Sequence, residues 1–327
     1  MYHTARQLAF TLCLGSISIG AGAQVLPTDS LRETRDSVRR LDEIVVYARQ
    51  MLGSKLEARN RTGSAYYLSP KELAKFGYTD ISRMLRAVPG VNIYEEDGYG
   101  LRPNISLRGT KAERSERISL MEDGILAAPA PYAAPAAYYF PNAARMYAIE
   151  VLKGSSQVQY GPFTTGGAVN MVSTPIPKTF HAGLRSSYGS YGTVNSYVHV
   201  GNDHKHIGYL IEYLRYQSKG FKKDEPNERT GFYRNDVVGK LRLHSDEGAE
   251  TRQALELKLG FANEHSDESY VGLSEQDFAS RPYYRYRGAQ MDHLRTRHVQ
   301  TALTHLIDFT GGMKVTTSLY YNYFWRN

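Results

Sequence analysis

Cysteine is nearly missing from this chain of 327 residues. Its one copy, Cys13, sits in an apolar leader, so disulfides, thiolate metal sites and a cysteine nucleophile are excluded from the chain beyond it. Tryptophan occurs once, and after the leader no apolar run approaches the roughly 20 residues of a membrane-spanning helix. A phosphate-gripping lysine is lacking too. GPFTTGG, residues 161–167, has the glycine spacing of a nucleotide loop, but Gly167 stands where that pattern needs Lys. No paired carboxylates, nucleophile triad or metal-ligand spacing is present either; His204 and His206 share a face only if extended, and two such residues in a turn are ordinarily just solvated. The expectation is a protein that is not an enzyme and holds no cofactor or structural metal.

What is present begins with a leader. Arg6 precedes LAFTLCLGSISIGAGA, an apolar, small-residue stretch ending at Ala23, which reads as a signal peptide over residues 1–23 with cleavage before Gln24. Leu12 is too large for a lipoprotein cut before Cys13. The net charge of +7 falls by one without the leader, an excess that fits an anionic ligand or lipid surface and, on content alone, nucleic acid. The chain is polar on average, which argues against a helical membrane protein but leaves a membrane barrel open, because barrel strands are apolar only at alternate positions.

Residues 24–60 are polar and charged, interrupted by DEIVVYA at 42–48. That island is equally suited to pairing with another protein's sheet edge and to serving as the first strand of the next domain. Residues 61–175 read as a compact α+β domain. Ser69 and Pro70 open a helical stripe through Leu73, Phe76, Ile81, Met84, Leu85 and Val88, which Pro89-Gly90 stops. Strand-like pieces follow at 91–94, 105–109, 117–124, 146–154 and 168–173, and the prolines of 127–141 impose an irregular loop.

From residue 176 to 327 the pattern becomes strict alternation. Leu241 and Leu243 oppose Lys240 and Arg242; Leu257 and Leu259 oppose Glu256 and Lys258; Val299 and Leu303 oppose Gln300 and Thr304. His305 breaks the apolar side. About seven such segments, near 180–190, 193–201, 206–217, 233–245, 251–263, 296–309 and 312–326, are longer than ordinary globular strands. Alternation describes both a transmembrane β-barrel wall around a wet interior and a soluble sandwich with one polar face. The leader, and connections that alternate short and long, favour the barrel.

The ordered run LSPKELAKFGYTDISRMLRAVPGVNIY, ISLRG, LMEDGI, IEVLKG and YGPFTTGGAVNMVS resembles the TonB-dependent outer-membrane receptors, at the spacing of that family's plug domain. The resemblance implies an α+β plug followed by antiparallel transmembrane β-barrel strands, here an incomplete barrel of about seven of the 22 strands such receptors close, and hence a fragment. It makes Asp42, Glu43, Ile44, Val45 and Val46 a TonB box. The glycines of 154–167 become plug turns rather than a phosphate cradle. It implies a monomer in the outer membrane of a Gram-negative bacterium, contacting outer-membrane lipid, TonB with its inner-membrane energising complex, and a ferric chelate, with no nucleic acid. Within the family, RGTKAERSERISLMEDGILAAPAPYAAPAAYYFP is most similar to ferric citrate receptors. That similarity makes Arg114, Arg117 and Tyr132 substrate-binding candidates and Lys240, Arg242 and Lys258 a positive funnel; the two arginines could equally pair with Glu113 and Glu116 or brace the plug. The alternatives are an adhesin or non-coupled barrel and a soluble β-protein.

Overall fold

The computed structural model describes residues 49–76, 80–127, 138–160, 165–223, 230–269, 271–309 and 312–327, all within one compact unit, Arg39–Asn327. The leader, residues 42–46 and Tyr132 lie outside the described residues.

Two short helices open the described chain. In α1 (Lys55–Asn60), the Ser54 hydroxyl accepts from the Glu57 N–H, an ordinary N-cap. Strand β1 (Ser64–Leu68) leads into α2 (Pro70–Phe76), where Ser69 and Glu72 form a reciprocal capping box: the Ser69 N–H donates to the Glu72 carboxylate and the Glu72 N–H to the Ser69 hydroxyl. The helical stripe expected from 70 to 88 divides here, because Asp80 caps a separate helix α3 (Ile81–Leu85). Leu73, Ile81, Met84, Leu85 and Val88 are buried in one core with β-strand residues, as their spacing requires.

The hairpin β2 (Val91–Tyr94) and β3 (Asn104–Leu107) follows, then β4 (Ile118–Glu122), β5 (Ile125–Leu126), β6 (Met146–Lys153) and β7 (Gly167–Ser173). With β1 these make a mixed sheet of order β1-β6-β7-β4-β5, in which only β4 and β7 run parallel. Strand β1 was not visible to sequence reasoning. The glycine reading holds at Gly167, whose φ is 145° and where a Cβ would lie 2.3 Å from both the Leu152 carbonyl oxygen and a Leu107 methyl. The chain needs glycine there because two elements pack against its backbone.

Seven long antiparallel strands complete the fold as a meander: β8 (His181–Gly189), β9 (Thr193–His204), β10 (Ile207–Ser218), β11 (Phe232–His244), β12 (Thr251–Ser266), β13 (Leu294–Phe309) and β14 (Lys314–Arg326). A short helix, α4 (Glu275–Ser280), lies in the β12–β13 connection. Strands β8 and β14 are the edges of this sheet, which is not closed. The two long connections, 219–231 and 267–293, lie at one end together with the tight turn 190–192, and the short connections 205–206, 245–250 and 310–313 lie at the other.

The burial of this sheet is inverted relative to a soluble sandwich. Its charged face is the covered one: Lys240, Arg242, Glu256 and Lys258 are all at most 4% exposed. Its apolar face is bare, with Leu241 46%, Leu243 47%, Leu259 50% and Phe261 44% exposed. Apolar residues turned outward along strands of this length match the pattern expected of a membrane barrel, and the polar residues turned inward meet the α+β layer.

Candidate functional site

Three contact groups stand out among those that join the α+β layer to the sheet. The central one grows from the LMEDG turn. Asp123 (φ 54°) and Gly124 (φ 75°) close the β4–β5 hairpin with left-handed backbone, which sends the Glu122 and Asp123 side chains toward the wall. Arg145 grips Glu122 with both terminal nitrogens, at 2.6 and 3.0 Å, and donates from Nε to Asp236 of β11 at 2.8 Å. Lys258 of β12 donates to Glu122 and to Asp123, each at 2.6 Å. Lys240 donates to the Ser173 hydroxyl and the Thr174 carbonyl, both 2.6 Å, and the Ser173 hydroxyl in turn donates to Asp123.

Three buried anions thus interlock with three buried cations. Burial alone would raise the carboxyl pKa values. Beside Arg145 and Lys258, however, Glu122 is held down at about 2, and Asp123, facing Lys258, Lys240 and Arg49, lies well below the usual carboxylate range. Such a lock is specific in geometry and intolerant of losing one partner, since the remaining charge would be buried alone.

The second group fixes the point where the described chain begins. Glu150, an acid inside the apolar strand β6, accepts from the backbone N–H groups of Met51, Leu52 and Gly53 at 2.6, 2.9 and 2.8 Å and from the Asn170 amide at 2.9 Å. Burial pushes the Glu150 pKa up, and these four donors offset that only in part. Arg49 reaches Glu256 of the wall at 2.6 Å. Glu256 lies five residues from the short-connection start of β12 and ten from its far end, so the chain enters nearer the short connections.

The third group lies at the opposite end. Asp97 accepts from the N–H groups of Tyr99, Leu101 and Arg102, shaping the β2–β3 loop, while the buried Arg102 side chain ion-pairs with Glu264 and Glu268. Tyr99 packs on Phe221 and Phe232 beside a recess whose lining includes Glu96, Asp97 and Glu268.

The sequence-chosen arginines lie beside this loop. Arg114, with φ 51°, makes a two-pronged pair with Glu96, both contacts 2.6 Å, and stands 5.2 Å from the Tyr138 ring. Its partner is therefore Glu96 rather than Glu113. Arg117 is exposed, and among the described residues its ion pair is with Glu116 at 3.5 Å. The positive funnel is corrected: Lys240 and Lys258 are spent in the central lock, and Arg242, buried as well, is neutralised within the wall by Asp203 at 3.0 Å, so none of the three lines an open mouth. Sequence reasoning missed Glu122, Arg145, Glu150 and Arg102. The available signal was an acid amid apolar strand residues, as in MYAIEVLK.

Comparison with known proteins decides what this layer is. Residues 57–168 match the TonB-dependent Receptor Plug Domain. The fold is a plug with strands of its barrel wall. Among solved structures, it is similar to the ferric citrate transporter FecA in its unliganded form (22% identity, TM-score 0.72, covering 84% of this chain and 42% of that one). It is also similar to the ferric yersiniabactin uptake receptor FyuA from Yersinia pestis (18%, 0.63, 82% and 42%) and to the siderophore receptor PirA from Acinetobacter baumannii (20%, 0.59, 82% and 40%). The chain spans about two fifths of the length of these structures. The plug is thus held by its lock inside a sheet whose outer face is apolar.

Proposed function

We propose that this chain serves TonB-dependent uptake of a ferric chelate, of the ferric citrate kind, across the outer membrane of a Gram-negative bacterium. The observation that carries the reading is the inverted sheet with a plug domain ion-paired to its polar face. The chelate would arrive at the end with long connections, where Arg117 is the available guanidinium, and Arg114 would join it by exchanging Glu96 for a ligand carboxylate. Tyr132, outside the described residues, is kept as a further candidate on the resemblance of its Pro-Tyr loop alone.

Occupancy would shift the population in which Asp42, Glu43, Ile44, Val45 and Val46 are presented to TonB on the short-connection side, and strand addition would couple the inner-membrane energy source to the plug. Tension on that segment would meet the Arg49–Glu256 pair and then the Glu150 clamp, since Arg49 and Met51 lie three and five residues beyond Val46. A cavity of about 420 Å³ between the plug and β8–β9, lined by Leu73, Met84 and Tyr147 on one side and Arg185, Asn195 and Tyr197 on the other, is the seam along which a path would open.

The test is Val45→Pro in the membrane-inserted receptor, because proline removes the N–H a paired strand would use. The expected result is retained chelate binding with abolished accumulation of radiolabelled iron. Unchanged accumulation would transfer support to a barrel that binds without energy coupling.

A further inference from the structure

The cavity between the plug and β8–β9 has two unlike walls. On the plug side Leu73 and Ala74 of α2, Met84 of α3 and Tyr147 of β6 make it mainly apolar. On the other side the inward residues of β8 and β9 make it polar: Arg185 and Ser187 stand opposite Tyr197 and Asn195 in register. Arg185 is the one charged residue of the lining, and no carboxylate shares it among the described residues.

Two donors are left over there. Arg185 lies over the Tyr197 ring at 4.9 Å and gives one terminal nitrogen to the Ala144 carbonyl; its remaining N–H groups have no acceptor among the described residues. Asn195 is only 5% exposed, and its amide nitrogen has no partner among them either. A buried amide donor is expensive to leave unmatched. The volume, about 420 Å³, is far more than one water fills and falls within the about 300–1,000 Å³ of small-molecule sites.

We propose that this cavity binds a small organic carboxylate with an apolar body. The carboxylate accepts from the free part of the Arg185 fork and from the Asn195 amide, and the body lies against Leu73, Met84 and Tyr147. A wholly polar anion leaves the apolar wall unused, and a neutral apolar molecule leaves both donors unmatched. The lining selects for the combination. With the plug at rest the cavity is a site rather than a passage. Its occupant touches both layers beside the lock, since Ala144 precedes Arg145 and the Thr174 hydroxyl, also in the lining, donates to the Arg145 carbonyl at 3.0 Å. The inference rests on the cavity alone and makes no use of chelate uptake.

The test is isothermal titration calorimetry of the receptor in lipid nanodiscs with 3-phenylpropionate, its neutral analogue 3-phenylpropanamide, and acetate. The wild type should bind 3-phenylpropionate about tenfold or more tighter than either of the others, and Arg185→Gln should remove about that factor, the loss of a hydrogen bond between charged groups. Ala74→Phe, a change at an exposed helix position that fills the cavity from the plug side, should abolish binding with Arg185 still in place. Hydrogen exchange of a peptide spanning 143–147 should slow when 3-phenylpropionate is bound. Heat-modifiable electrophoretic mobility reports folding, and Ala74→Phe decides the matter if Arg185→Gln does not fold. Equal binding of the acid and its amide, equal binding of acetate, no effect of Arg185→Gln in folded protein, or binding that survives Ala74→Phe would each overturn the assignment. None of these readouts involves iron accumulation, so failure here and failure of the uptake proposal are separable.

Discussion

Glu150 offers the sharpest perturbation. In Glu150→Gln one acceptor oxygen becomes an NH2 group, which would face the Met51 N–H now bonded at 2.6 Å. Losing a buried bond to a charged acceptor costs about 1.5–3 kcal/mol. The glutamine also removes a carboxylate whose burial pushes its pKa up, so part of that cost is returned and a net of about 1–2 kcal/mol remains. Because about 1.4 kcal/mol is a factor of ten, the amides of 51–53 should exchange with solvent roughly 5–30 times faster, while those of β6 and β7 keep their protection. Glu150→Ala, which frees three N–H donors and the Asn170 amide at once, should release the segment outright. Hydrogen exchange read by mass spectrometry on peptides spanning 49–54 and 146–153 measures both. Unaltered exchange at 51–53 in the alanine variant would refute the clamp, and equal acceleration in the two peptides would show Glu150 to be a general core residue.

Arg145→Ala should leave Glu122 with Lys258 alone and Asp236 with only the more distant Arg234, 3.8 Å away, and destabilise the plug by about 3 kcal/mol, visible as early plug proteolysis in a folded barrel. The depressed Glu122 and Asp123 pKa values make the lock's contribution complete above the ordinary carboxylate range and lost as pH falls toward about 2; Glu150, shifted upward, contributes most at low pH and less as pH rises through its folded value. Plug protection followed from pH 7 down to 3 should therefore decline in wild type and lose much of that slope in Glu122→Gln. Leu259→Arg, on the bare face, should cost about 2–4 kcal/mol of barrel stability in lipid; a neutral outcome would remove the membrane from the argument. Gly167→Ala, forced against the Leu152 carbonyl, should destabilise by about 1–3 kcal/mol, measured as a lower plug unfolding midpoint.

The wall was legible because period-two alternation is a local signal: Leu241 against Arg242, or Leu259 against Lys258, names the two faces without any knowledge of the partner. The seven segments and the short strands at 91–94 and 146–154 follow from the same logic. Strand β1 was not legible, since SAYYL acquires its place only by pairing with β6. The split of the 70–88 stripe turned on Asp80, whose capping role competes with helix continuation. The lock was opaque for a different reason. Glu122, Arg145, Asp236 and Lys258 are separated by up to 136 residues, and ion pairing across such a distance leaves no periodic trace. Arg114 and Arg117 were chosen for their chemistry, which says nothing about Glu96 having already claimed one of them.

The lock also bears on the plug movement proposed above. Had plug and wall met through oily side chains, separating them would bare a sticky surface that closes again or collapses. Here the parting faces carry Asp236, Lys240 and Lys258 on one side and Glu122, Asp123 and Arg145 on the other. Incoming solvent can replace each broken contact one for one. On the uptake proposed above, the bore left by the plug would be wettable from the first ångström of travel, so ionic contacts could hold the plug at rest without leaving a sticky lining behind it.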